Sequence, residues 1–116
     1  MILMKFGGTS IEDAEAITRL VTIVRERLAL QPVVVSSAMA EVTDTLLQTA
    51  SIAAKGNATA TLENLEHLKA RHIVTARALV ADSGPTVQRL CELFAELTSL
   101  LVAVGTTGEL TRISHQ

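Results

Sequence analysis

Apolar positions change their spacing along this chain, and each change predicts an element. Ile2-Leu3-Met4-Lys5-Phe6 is a short apolar run closed by Gly7-Gly8, which predicts a strand. Ile17, Leu20, Val21, Val24 and Leu28 then follow the three-to-four spacing of one helix face. Thr9-Ser10 offers that helix an N-cap, and Asp13, three residues after Ser10, completes a capping-box-like start. Gln31-Pro32 stops the helix, and Val33-Val34-Val35 is a β-branched run bounded by turn residues. Such a run suits a parallel strand buried on both faces. Strand, helix and strand in this order form a βαβ unit, which is right-handed almost without exception.

Beyond Thr43 the pattern becomes wholly helical. Thr43 or Asp44 can cap a helix carrying Leu46, Leu47, Ala50 and Ala54, which Gly56-Asn57 ends. Leu62, Leu65, Leu68, Ile73, Ala76, Leu79 and Val80 mark a longer amphipathic helix, broken at Ser83-Gly84-Pro85. Val87, Leu90, Cys91, Phe94, Leu97 and Leu101 mark another, so the two predict an antiparallel helical hairpin. Gly105-Thr106-Thr107-Gly108 is read as a turn. The fold expected is α/β: a βαβ start of a parallel sheet over residues 1–44, a helical region over 45–104, and a loop over 105–116.

Composition narrows the class. In 116 residues, 48% are hydrophobic but only 2% aromatic, so Ala, Leu, Val and Ile must fill the core. Ten Lys and Arg against twelve Asp and Glu leave no basic excess, and with so few rings there are no stacking platforms. This argues against nucleic-acid binding. No apolar window approaches the ~18–20 residues of a membrane span, and Met1-Ile2-Leu3-Met4 meets Lys5 before a signal-peptide core can form. The single cysteine, Cys91, excludes an internal disulfide, and the expected compartment is the cytoplasm. Asn57-Ala58-Thr59 fits a glycosylation acceptor but, without a secretion signal, is read as a loop. His67 and His72 are five apart and do not share a helix face as i, i+4 metal ligands do, so no metal site is expected.

Two segments can carry chemistry. Lys5-Phe6-Gly7-Gly8-Thr9-Ser10 joins the first strand to the first helix. Its glycines allow backbone amides to approach a ligand, the helix start attracts phosphate oxygens, and Lys5 adds a full positive charge. The other reading is a tight strand-to-helix turn with Lys5 solvated. It is not a P-loop, because no Gly-Lys-Ser/Thr follows at the required spacing. Ser36-Ser37-Ala38-Met39, ending the second strand, and Thr43 beyond it lie at the same carboxyl edge of a parallel sheet, where open α/β sheets bind ligands. Their hydroxyls can orient a small polar substrate, or, for Thr43, cap a helix.

Lys5-Phe6-Gly7-Gly8-Thr9-Ser10, followed by Val33-Val34-Val35-Ser36-Ser37-Ala38-Met39-Ala40-Glu41-Val42-Thr43-Asp44, resembles the aspartate kinases of the amino-acid kinase superfamily. Gly108-Glu109-Leu110-Thr111 also resembles a stretch of that family, so the resemblance spans nearly the whole chain. It implies phosphorylation of the side-chain carboxylate of L-aspartate by ATP, with Mg²⁺ on the nucleotide, at the entry to lysine, threonine and methionine synthesis. Carried over residue by residue, Lys5 contacts the ATP phosphates and stabilises the charge in transfer. Gly7, Gly8, Thr9 and Ser10 form the phosphate cradle, and Ser37 and Thr43 help hold the aspartate.

The chain also departs from the family pattern. Glu41 stands where the family commonly has glycine, Arg112 and Ile113 replace proline and arginine, and Gln116 falls where an aspartate is typical. The resemblance places a further substrate-binding glycine-glutamate motif, the adenine-binding half and the regulatory ACT domains past Gln116. The expectation is therefore an incomplete kinase domain, inactive on its own. The alternative is a non-catalytic binding or oligomerisation module derived from such a kinase. In that case the helical hairpin is an interaction surface, in a homo-oligomer or against the rest of a kinase.

Overall fold

A computed structural model describes residues 1–107 of the chain. It divides into two compact units, Met1–Thr43 and Asp44–Gln116. In chain order the elements are strand β1 (Ile2–Phe6), helix α1 (Ala14–Arg25), strand β2 (Pro32–Ser36), and helices α2 (Val42–Ala54), α3 (Ala58–Leu79) and α4 (Gly84–Thr107). Single 3₁₀ turns, Gly8–Ile11 and Leu28–Leu30, flank α1.

In the first unit β1 and β2 pair in parallel, with Ile2 opposite Pro32 and Phe6 opposite Ser36, so both strands end at one edge. Burial alternates along β1: Ile2, Met4 and Phe6 are half-buried, while Leu3 and Lys5 are exposed. Phe6 shares a cleft with Ala16, Leu20 and Ile23 of α1, which places α1 on the Ile2–Met4–Phe6 face. Leu3 and Lys5 point to the opposite face.

Three expectations are corrected in this unit. Ser10 does not cap α1. The chain first makes the 3₁₀ turn, and Asp13, in extended backbone, accepts a 2.8 Å hydrogen bond from the Ala16 amide. A carboxylate at that position satisfies an orphan donor and complements the helix dipole, so the helix starts where Asp13 can do both. Nor does α1 reach Leu28. That side chain is 60% exposed, so no buried stripe drives further α-helix, and a 3₁₀ turn ending in left-handed Gln31 (φ 51°) redirects the chain into β2. Val33, Val34 and Val35 are 47%, 41% and 45% exposed rather than buried on both faces. Among the described residues the sheet has only two strands, which is too narrow to be covered as a doubly wound sheet is.

The second unit has an aliphatic core. Ala53 of α2, Leu65 of α3 and Leu101 of α4 are buried together, with Leu46, Ala50 and Leu97 packed around them. Two hydroxyls are wholly buried without an energetic penalty, because each bonds to its own helix. Thr49 Oγ1 donates to the Thr45 carbonyl, Thr61 Oγ1 donates to the Asn57 carbonyl, and Asn64 Nδ2 ties α3 to Thr49 Oγ1 at 3.2 Å. The hairpin of α3 and α4 is present, with the His72 ring edge-on to Phe94 at 5.4 Å between centroids. Asn57 is no loop residue: after Gly56 (φ 81°) it caps α3 by accepting from the Ala60 amide. The turn expected at Gly105 is instead the last turn of α4. A Cβ at Gly105 would lie 3.0 Å from the Ala53 carbonyl oxygen, so glycine lets the helix pass α2 closely, and Thr106 Oγ1 donates back to the Val102 carbonyl. Gly108-Glu109-Leu110-Thr111 lies outside the described residues.

Candidate functional site

The predicted site residues all fall in the first unit, and most gather at the carboxyl edge of β1 and β2. Two turns meet there. The Ser37 amide donates to the Phe6 carbonyl at 3.1 Å, which continues the sheet one step past β2. An ideal Cβ built on Gly8 would lie 3.2 Å from Ala40 Cα and 3.5 Å from the Ala38 carbonyl oxygen. Gly8 is therefore the residue that lets the turn after β1 close against the turn after β2. Neither Gly7 nor Gly8 has a positive φ, so what each contributes is the absence of a Cβ.

Gly7 behaves differently. Its backbone is extended (φ −83°), and a Cβ there would meet nothing within 4 Å. Open space over a glycine at the head of a 3₁₀ turn is room for a ligand to approach the backbone. The Ser10 amide is already bonded to the Gly7 carbonyl at 3.1 Å and is not available to a ligand. The N-terminus of α1 is not open to a ligand in the same way, because Asp13 already caps it.

The two glycines predict stability effects of opposite sign. Gly8→Ala lowers stability by about 1–3 kcal/mol, because the Ala40 backbone must yield. Gly7→Ala leaves stability unchanged or raises it by about 0.4–1 kcal/mol, because it only restricts the unfolded chain. Thermal unfolding of the two variants measures this, and equal midpoints would contradict the placement of Gly8 against Ala40.

The structure places the polar side chains unevenly. Lys5 is exposed and has no side-chain hydrogen bond or ion pair among the described residues, so its ammonium is free to meet an anion. Thr9 and Ser10 line the cleft of about 300 Å³ with Phe6 and Arg19, on the α1 side of the sheet and away from the Lys5 face. Arg19 is paired at 3.4 Å with Glu15, both largely exposed. Ser37 Oγ donates to the Ala38 carbonyl at 2.9 Å, which leaves its lone pairs available as acceptors. Thr43 lies inside the first turn of α2 rather than ahead of it, so it does not take the N-cap position, and its side chain is exposed. The described residues bring no group of three or more His, Cys, Asp or Glu together around a metal position. His72 Nδ1 lies 2.7 Å from the Leu68 carbonyl, and His67 lies on the exposed side of α3. No described helix is long and apolar enough to cross a membrane.

Glu41 is the site feature that sequence reasoning missed. Its φ is 70°, in the left-handed region, and the Val42 amide donates to the Met39 carbonyl at 3.1 Å. Met39-Ala40-Glu41-Val42 is therefore a type II turn with Glu41 at its third position, where glycine is favoured for steric reasons. The available signal is the glycine common at this position in the resembling family, which is a requirement of the backbone. A side chain in this region costs about 1–2 kcal/mol, while glycine loses about 0.5–1 kcal/mol more in conformational entropy on folding. Glu41→Gly thus gains up to about 1 kcal/mol, and Glu41→Ala, which keeps the Cβ, gains nothing. A denaturant titration that ranks Ala with Gly would contradict the strained turn.

Residues 1–113 match the model of the amino acid kinase family. Over 111 residues, 94% of the chain, the sequence is 34% identical to aspartokinase 3, chloroplastic, of Arabidopsis thaliana. The chain spans about a fifth of that protein's length (19%).

Proposed function

Since the chain belongs to the amino acid kinase family, we propose that it supplies the phosphate-holding and acceptor-holding turns of an aspartate kinase. One observation carries this reading. The turn after β1 closes on the turn after β2 through Gly8 and Ala40, at the carboxyl edge of two parallel strands, with the exposed Lys5 one residue inside that edge. Parallel α/β sheets hold ligands at this edge. The likeness to an aspartokinase supports the choice of acceptor.

In this reading the triphosphate of ATP lies over Gly7, whose lack of a side chain admits it, and Lys5 faces the phosphate oxygens. Gly8 holds the two turns together, and Thr9 and Ser10 flank the cradle. Ser37 and Thr43 position L-aspartate so that its side-chain carboxylate approaches the γ-phosphoryl group in line. A carboxylate oxygen forms the new bond to phosphorus while the bond between that phosphorus and the bridging β,γ-oxygen breaks. ADP leaves and 4-phospho-L-aspartate remains. No covalent enzyme intermediate is involved, so the protein acts by positioning and by neutralising charge. Mg²⁺ enters with the nucleotide, held by its phosphates. The product suits the start of lysine, threonine and methionine synthesis, and the free thiol of Cys91 supports a reducing compartment, the cytoplasm in our reading.

A chimera tests this. Residues 1–113 replace the matched segment of the Arabidopsis relative, and the acyl phosphate formed from L-aspartate and Mg-ATP is trapped with hydroxylamine. The chimera is expected to form the hydroxamate. A folded chimera that forms none, beside an active parent, would overturn the reading. The exposure of Leu3 (72%) and of Val33–Val35 favours a second reading, in which the chain is a binding or oligomerising module. Self-association measured by sedimentation, without nucleotide binding, would favour it.

A further inference from the structure

Charge at the candidate site runs against its proposed ligand. Over residues 5–13 and 36–43, which build the two turns, Lys5 is the only cation, against Glu12, Asp13 and Glu41. Asp13 is committed to the α1 cap. Glu41 is exposed and has no side-chain hydrogen bond or ion pair among the described residues. Its neighbour Ala40 has its Cα 3.2 Å from the Cβ position of Gly8, inside the cradle segment, and the Met39–Val42 turn fixes Glu41 in the left-handed region. The Glu41 backbone is thus fixed next in sequence to the residue that touches Gly8, and its exposed side chain adds a negative charge to this turn.

Resting on the kinase reading, we propose that Glu41 is a specificity-determining residue: its carboxylate selects polyphosphate whose charge is offset by a divalent cation over free polyphosphate. The physical basis is Coulombic. A fixed negative charge beside the cradle repels a ligand in proportion to the ligand's own charge, and metal-free ATP carries roughly twice the net negative charge of its Mg²⁺ complex. The repulsion between exposed groups is also screened by salt within about 10 Å at 0.1 M. Because Glu41 is exposed, removing the charge leaves packing intact, so a merely structural role predicts neither effect.

The test is titration of the 116-residue chain with ATP, once with Mg²⁺ and once with a chelator, at low salt and at about 0.15 M salt. Glu41→Gln keeps the shape and removes the charge; Glu41→Ala is the second variant, and Lys5→Ala is the control for the site itself. Glu41→Gln and Glu41→Ala are each expected to tighten metal-free ATP about three- to tenfold at low salt and the Mg²⁺ complex about two- to threefold, with both gains shrinking as salt rises. Binding that appears only in the Glu41 variants also supports the proposal. If Lys5→Ala weakens binding but Glu41→Gln changes neither form of ATP, the proposal is overturned and the kinase reading stands. If binding ignores both Lys5 and Glu41, the proposal and the phosphate-holding role of the first turn both fall; if binding is absent from every variant, the proposal is overturned and the kinase reading is decided by the chimera.

Discussion

Lys5→Ala in the active chimera lowers kcat by about two to three orders of magnitude, the loss expected when a preorganised charge that stabilises phosphoryl transfer is removed. Lys5 lies on β1 opposite Val35, one residue short of the strand's end, with its side chain exposed and unpaired among the described residues. A cation that supports no internal ion pair contributes little to the fold, so the thermal midpoint of Lys5→Ala stays at the wild-type value. The KM for L-aspartate changes much less than kcat, because the acceptor is assigned to Ser37 and Thr43 on the other turn. Lys5→Arg keeps the charge but replaces a compact ammonium with a planar fork, and recovers only part of the rate. A Lys5→Ala chimera with wild-type kcat would show that Lys5 is merely solvated, the other reading that the sequence left open.

The largest stability loss is expected at Leu65. Its side chain is 3% exposed and sits between Ala53 and Leu101, joining α3 to α2 and α4 in one cluster. Leu→Ala at a buried position loses the transfer energy of the removed methyls and leaves a cavity, about 2–5 kcal/mol together. Small domains have only about 5–15 kcal/mol of net stability, so this is a large fraction of the whole. Chemical denaturation followed by helical circular dichroism measures the effect. Leu47→Ala, at a residue 53% exposed on α2, is the matched control and costs well under half as much. Equal losses at Leu65 and Leu47 would contradict the assigned core.

Much of the architecture was legible because it depends on local pattern. β1 and β2 follow from apolar runs closed by Gly7-Gly8 and by Ser36-Ser37, and Gly56-Asn57 falls between α2 and α3, whereas α3 ends at Leu79 ahead of the expected break and Gly84-Pro85 open α4. What the pattern hid depends on geometry between segments. Asp13 rather than Ser10 starts α1, because the chain needs a 3₁₀ turn to leave the sheet before the helix can begin. Leu28 extends the helical spacing but reaches no buried surface, and spacing alone does not report that. Gly105 looks like a turn residue, yet it is a point of close approach to Ala53. The same holds for the site. The two turns were correctly placed at one edge, but the separate uses of Gly7 and Gly8, the position of Thr43 within α2, and the left-handed backbone of Glu41 emerge only in three dimensions. Lys5 and the hydroxyls of Thr9 and Ser10 read as one cradle along the chain, whereas strand alternation sends Lys5 to the face opposite α1.

The central claim is that the turn after β1 holds polyphosphate with the help of Lys5. Backbone amide chemical shifts recorded during titration of the ¹⁵N-labelled chain with Mg-ATP test it most directly, because they report weak binding residue by residue. The account predicts saturable shifts concentrated at Gly7, Gly8, Thr9, Ser10 and Ser37, and their loss in Lys5→Ala. Shifts confined to the helical unit beyond Asp44, or shifts that survive Lys5→Ala unchanged, would contradict it.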